Sequence, residues 1–151
     1  MEFLPPTSIE PAHADPFPLT AGTIEGTKWT LGPARLFADG QAIGTTFLVS
    51  FDTGNGVPWI HNAGTNSIPQ AHGLVKPSTR IGVGPPGSAR EAVSVVAGTS
   101  FANKIKVVDL PGGSPLVNVS IQAFFDHIVA YDNVRGVISF APAVVTAAPT
   151  R

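Results

Sequence analysis

Residues 45–54 read Thr45-Thr46-Phe47-Leu48-Val49-Ser50-Phe51-Asp52-Thr53-Gly54. Phe47, Val49 and Phe51 fall on one side of an extended chain, and Thr46, Leu48 and Ser50 on the other. A period of two marks a half-buried strand. That strand runs directly into Asp52-Thr53-Gly54, so an apolar segment delivers a carboxylate to its own end. Gly54 allows a sharp turn and close approach of another backbone, and the Thr53 hydroxyl can brace the turn through backbone hydrogen bonds. The plain alternative is a strand-ending turn in which the Asp caps its own loop.

Strand and turn signals continue on both sides. Upstream, Lys28–Phe37 ends at Asp39-Gly40, a strong hairpin signal. Downstream, residues 61–79 are loop-like, after which 80–83 and 89–96 flank Pro85-Pro86-Gly87-Ser88. Pro at the second position and Gly at the third suit a type II turn, which predicts a projecting β-hairpin. Lys104–Val108 and Leu116–Ile121 are further short strands, and 122–127 suits one helical turn. Ile128–Tyr131 and Val137–Phe140 then pair across a five-residue loop ending in Gly136.

Composition agrees with an all-β class. The 151 residues include 16 Gly and 15 Pro, about one residue in five, which weakens helix interiors. Hydrophobic residues make up 43% and charged residues 13%, a balance unlike that of disordered chains. Prolines at 5, 6, 11, 16 and 18 mark residues 1–22 as an extended or disordered arm. The domain proper then covers 23–142, and 143–151 reads as a flexible tail.

Several functions are disfavoured. Net charge is −1 with no block of like charge, so the basic stripe that nucleic acid requires is missing. Without cysteine there is no disulfide framework, thiolate zinc site or Cys nucleophile. Apolar runs fall short of the roughly 18 residues of a membrane span, and no basic region followed by an apolar core marks a signal peptide.

His13, His61, His72 and His127 offer only one close ligand-type pair, His13 with Asp15. A metal site needs three or four converging ligands, so none is expected. Gly82-Val83-Gly84-Pro85-Pro86-Gly87 matches the glycine spacing of dinucleotide sites, but two prolines remove the donors such a site needs. Gly98-Thr99-Ser100-Phe101-Ala102 lacks the last Gly of a serine-nucleophile elbow. Asn118-Val119-Ser120 has the form of a glycosylation sequon but falls in an expected strand. Trp59 is read as a core residue beside the 52–54 turn, with a substrate-pocket wall as the alternative.

Two ordered segments carry a family resemblance. The run from Phe124-Phe125 through Ile128-Val129-Ala130-Tyr131-Asp132 to Gly136-Val137-Ile138-Ser139-Phe140-Ala141 is similar to the closing segment of pepsin-like aspartic proteases. Trp29 through Gly40, followed by the Asp52-Thr53-Gly54 strand, resembles the opening of that family's carboxy-terminal lobe. Together they cover roughly residues 28–142. The resemblance implies a single pepsin-like, or retropepsin-type, lobe: an acid-protease closed barrel with one short helix. It also implies that Asp52 is catalytic, that Thr53 and Gly54 support its loop, and that the hairpin at Gly84, Pro85, Pro86 and Gly87 is the flap covering a polypeptide substrate. No cofactor is implied, because water is the nucleophile.

The sequence departs from that pattern in three places. Asn55 follows Asp-Thr-Gly where the family has Ser, Thr or Ala. The apolar-apolar-Gly motif expected near Val119-Ser120-Ile121 lacks its Gly, and the expected flap has no Tyr. Asp-Thr-Gly also occurs once, whereas the chemistry needs two carboxylates sharing a proton, for which pepsin is the standard case. A working site therefore requires a homodimer or a complementary lobe. The competing reading is a non-catalytic, protease-like β module, an isolated or degenerate lobe, that binds a protein partner or a complementary lobe.

Overall fold

Asp39 and Gly40 both take positive φ, 49° and 77°, as a two-residue hairpin turn matched to the twist of its strands requires. They join β4 (Gly32–Ala38) to β5 (Gln41–Ser50), with a register shift between Arg35 and Phe37. Asp39 exchanges further bonds with Arg80: its N–H donates to the Arg80 carbonyl at 2.8 Å, and its Oδ1 accepts from the Arg80 N–H at 2.8 Å. The turn is thus pinned to the start of β9 (Arg80–Gly84), which pairs antiparallel with β4.

The computed structural model describes residues 16–21, 29–30, 32–61, 68–101, 103–109, 111–125 and 127–142. Besides β4, β5 and β9, it contains β1 (Phe17–Pro18), β2 (Thr20–Ala21), β3 (Trp29–Thr30) and β6 (Trp59–His61). Further along lie β7 (Gln70–Ala71), β8 (Leu74–Val75), β10 (Val93–Val96), β11 (Lys106–Val108) and β12 (Leu116–Asn118). One turn of 3-10 helix at Ile121–Phe124 precedes β13 (His127–Asp132) and β14 (Val137–Pro142). The all-β class holds. Among the described residues no helix is long and apolar enough to cross a membrane.

Nine strands form one sheet in the order β10-β9-β4-β5-β12-β6-β11-β8-β7. Two of its pairings are parallel, β5 with β12 and β6 with β11. The expected closed barrel is not seen. Among the described residues the ladder ends at β10 on one side and at the two-residue β7 on the other, without pairing the two edges. The short β7 and β8 hairpin also lies in the stretch expected to be loop.

A second sheet, β1-β14-β13, is built on the expected terminal hairpin. Gly136 closes its loop at φ 65°, and Asp132 Oδ1 accepts from the N–H groups of Val134 and Arg135 at 2.9 Å each. Phe17, from the end of the expected arm, pairs with Ile138, and its ring is fully buried. Residues 1–15 and 143–151 lie outside the described residues.

The two sheets meet in an aromatic cluster. Phe17 stands edge-on to Phe51 and Phe140 at centroid distances of 5.2 and 5.9 Å, and Phe51 lies 4.6 Å from Phe140. Edge-to-face aromatic pairs add about 1 kcal/mol each beyond the area they bury. Phe47 and Val49 are buried beneath β5, as the alternation predicts, with Leu36, Ile60, Val83 and Val117 around them. The end of β5 that leads to Asp52 is therefore held from below by aliphatic packing and at its tip by the Phe51 ring.

Candidate functional site

β5 and β6 are consecutive strands, yet they are not neighbours in the sheet. β12 lies between them, parallel to β5 and antiparallel to β6. The 51–58 loop that joins β5 to β6 must therefore arch over the end of β12. Asn118 pairs with Ser50 on one side and Trp59 on the other. Beyond it, the Val119 N–H donates to the Ser50 carbonyl and the Ile121 N–H to the Asn55 carbonyl, both at 3.0 Å. A strand contributed from more than sixty residues downstream thus fixes the loop from underneath.

Asp52 heads this loop, half-buried, with Thr53 and Gly54 exposed beside it. The Gly54 N–H donates to Asp52 Oδ1 at 2.9 Å. A Cβ at residue 54 would stand only 3.2 Å from that same oxygen, so glycine here permits the close approach. Asn118 Nδ2 donates to Asp52 Oδ2 at 3.2 Å. Both carboxylate oxygens are thereby held, one by the loop and one by the threaded strand.

Asn55, where the family pattern has a smaller residue, does not reach the carboxylate. Its Oδ1 accepts from the Val57 N–H at 3.1 Å, and its N–H donates to the Asp52 carbonyl at 3.3 Å. Asparagine here builds an Asx turn that stiffens the loop's second half. Ser120, in the stretch where the resemblance implies a glycine, adopts φ 56°, ψ −167°, a region populated almost only by glycine.

Of the residues expected at the hairpin tip, Pro85, Pro86 and Gly87 form it, and Gly84 is the last residue of β9. The Ser88 N–H donates to the Pro85 carbonyl at 3.0 Å across Pro86 and Gly87, and Gly87 sits at φ 80°. These features match a turn with Pro second and Gly third. The glycine-rich run is therefore a hairpin with Gly82 and Gly84 inside β9. Arg35 Nη1 donates to the Ser88 carbonyl at 3.0 Å, and Ser88 Oγ to the Arg90 carbonyl at 2.7 Å. Among the described residues, the tip's hydrogen bonds go to Arg35 and Arg90 rather than to the Asp52 loop. Among the described residues, the structure brings Asp52 and Gly54 together with Asn118, leaves Thr53 exposed beside them, and does not bond the hairpin to them.

Trp59 is half-buried and stacks on His61 at 3.9 Å between centroids. His127 opens β13 edge-on to Phe140 at 6.0 Å, and His72 occupies an exposed turn. His13 and Asp15 lie outside the described residues. Among the described residues no three His, Asp or Glu side chains converge as metal ligands. A cleft of about 350 Å³ lies elsewhere, lined in part by Pro58, Arg80, Ser94, Val96 and Gln122, without Asp52.

The residue that sequence reasoning missed is Asn118. At 3% exposure it cannot serve as a glycan acceptor in the folded chain. Its signal was a polar amide in an expected strand, between the apolar Val117 and Val119. Compared with known proteins, the chain matches no family model and no curated sequence.

Proposed function

We propose that the chain is an aspartic-type endopeptidase, built as a single pepsin-like lobe, whose catalytic dyad is completed by Asp52 of a second copy. The observation that carries this reading is the threading of β12 between β5 and β6 beneath the Asp52 loop, with Gly54 and Asn118 gripping the two carboxylate oxygens. An Asp that merely caps a surface turn needs no buried strand to hold its far oxygen.

Two such carboxylates a few ångströms apart share one proton and titrate as a unit. The ionised member takes a proton from a water poised between them, and that water's oxygen attacks the scissile carbonyl. The protonated member gives its proton to the carbonyl oxygen, leaving a neutral tetrahedral diol. Collapse returns a proton to one carboxylate, passes another to the departing amine and breaks the C–N bond. The chain's own task is geometric: to present one oxygen pair in a fixed plane.

The test is cleavage of an unstructured polypeptide by the purified protein, with oligomeric state measured by sedimentation at the assay concentration. Asp52→Asn is expected to lower kcat by about a thousandfold or more, and a statine-type transition-state mimic to inhibit the wild type. Cleavage that survives in Asp52→Asn, or a strictly monomeric chain, overturns the reading. A non-catalytic lobe that binds a protein partner or a complementary lobe is the second reading, and the absence of a Tyr from the 80–96 hairpin favours it. A folded wild type that dimerises yet cleaves nothing would select it.

A further inference from the structure

We propose that Asn118 is a positioning residue that fixes the plane of the Asp52 carboxylate; its catalytic consequence rests on the peptidase reading above. Asn118 stands at the end of β12, opposite Ser50, two residues before Asp52 on the neighbouring strand. At 3% exposure, its amide is shielded from water that would otherwise compete for its bonds. Both ends of the amide are used. Its Oδ1 accepts from the Ser120 N–H at 2.8 Å, and its Nδ2 donates to Asp52 Oδ2 at 3.2 Å.

The direction of this amide is dictated by its surroundings. A backbone N–H can only donate, so Oδ1 must face Ser120, which leaves Nδ2 facing the carboxylate. The flipped amide would set two donors against each other at Ser120 and two acceptors at Asp52. The Ser120 N–H is aimed by its own unusual backbone, at φ 56°, ψ −167°. A non-glycine residue there costs about 1–3 kcal/mol and persists only where its surroundings over-determine it. Here Ser120 is fully buried, its Oγ accepts from the Gln122 N–H at 3.2 Å, and the adjacent Ile121 N–H is held by Asn55.

A closed ring of bonds results: Asp52 to Asn118, Asn118 to Ser120, and through Ile121 back to Asn55 in the loop that carries Asp52. Gly54 fixes Oδ1 and Asn118 fixes Oδ2, so the carboxylate cannot rotate about its own axis. Each oxygen can still accept a second hydrogen bond, so a shared proton and a water remain accommodated. Misplacement of a reacting group by about 1 Å can cost about a hundredfold in rate.

Three measurements test this. In Asn118→Leu, close in volume but without a donor, kcat is expected to fall about ten- to a hundredfold with KM within about twofold. In Asn118→Asp, the new carboxyl donates to Asp52 only when protonated, so activity relative to wild type should recover towards acid pH. The third readout needs no activity. In ¹H–¹⁵N spectra, the Asn118 side-chain NH₂ pair should shift and lose its solvent protection in Asp52→Ala. Full activity in Asn118→Leu, or no relative acid recovery in Asn118→Asp, overturns the positioning role while leaving the peptidase reading intact. If the wild type cleaves nothing but the NH₂ pair responds, the contact stands and the peptidase reading fails. An unresponsive pair overturns the contact itself, even if Asn118→Leu does not fold.

Discussion

Two turns of this molecule reach their shapes by opposite routes. The Pro85–Ser88 tip takes its turn from its own residues, proline fixing φ at one position and Gly87 supplying φ 80° at the next, with the Arg35 side chain bonded to it from β4. The Asp52 loop takes its form from β12, and its key bond spans 66 residues of sequence. A turn written in four adjacent residues can be changed without disturbing the rest of the sheet. A loop held by a threaded strand fails when that strand fails.

Substitutions can break this contrast. The largest effect is expected from Val117→Asp, which puts an uncompensated charge at a side chain 2% exposed, between β5 and β6. A loss of about 4 kcal/mol or more is expected, seen as absence of a cooperative thermal transition. Ser120→Gly sharpens the contrast in the other direction. Relief of the glycine-type backbone outweighs the lost Oγ acceptor, and a gain of about 1 kcal/mol is expected in urea unfolding. The effect at the self-made turn is no larger. Gly87→Ala should cost about 1 kcal/mol, because an L side chain at positive φ is strained, while the Asn118 side-chain resonances stay in place. A change in those resonances would show that the hairpin and the Asp52 loop are coupled after all.

The same contrast explains what could be read from the chain. Asp39-Gly40, the alternation from Thr46 to Phe51, the Pro86-Gly87 turn and the terminal hairpin are local signals, and each is found where its residues predict. Asp52-Thr53-Gly54 was legible because three adjacent residues at a strand end carry it. Asn118 was not, because its meaning depends on a partner 66 residues away. Nor was the insertion of β12 between β5 and β6, since a three-residue strand carries no mark of its neighbours. β7 and β8, with two residues each, are too short for periodicity to register. The open sheet departs from the expected barrel for a related reason: closure depends on which edges meet, and no local pattern states that.

The late arrival of β12 also has a kinetic consequence. Until Leu116–Asn118 docks, β5 and β6 have no bridge and Asp52 Oδ2 lacks its Asn118 donor. Contacts so distant in sequence make for high contact order and slow folding. During synthesis, the acidic group would therefore wait while 66 further residues are added, gaining its distant partner only once Leu116–Asn118 has emerged.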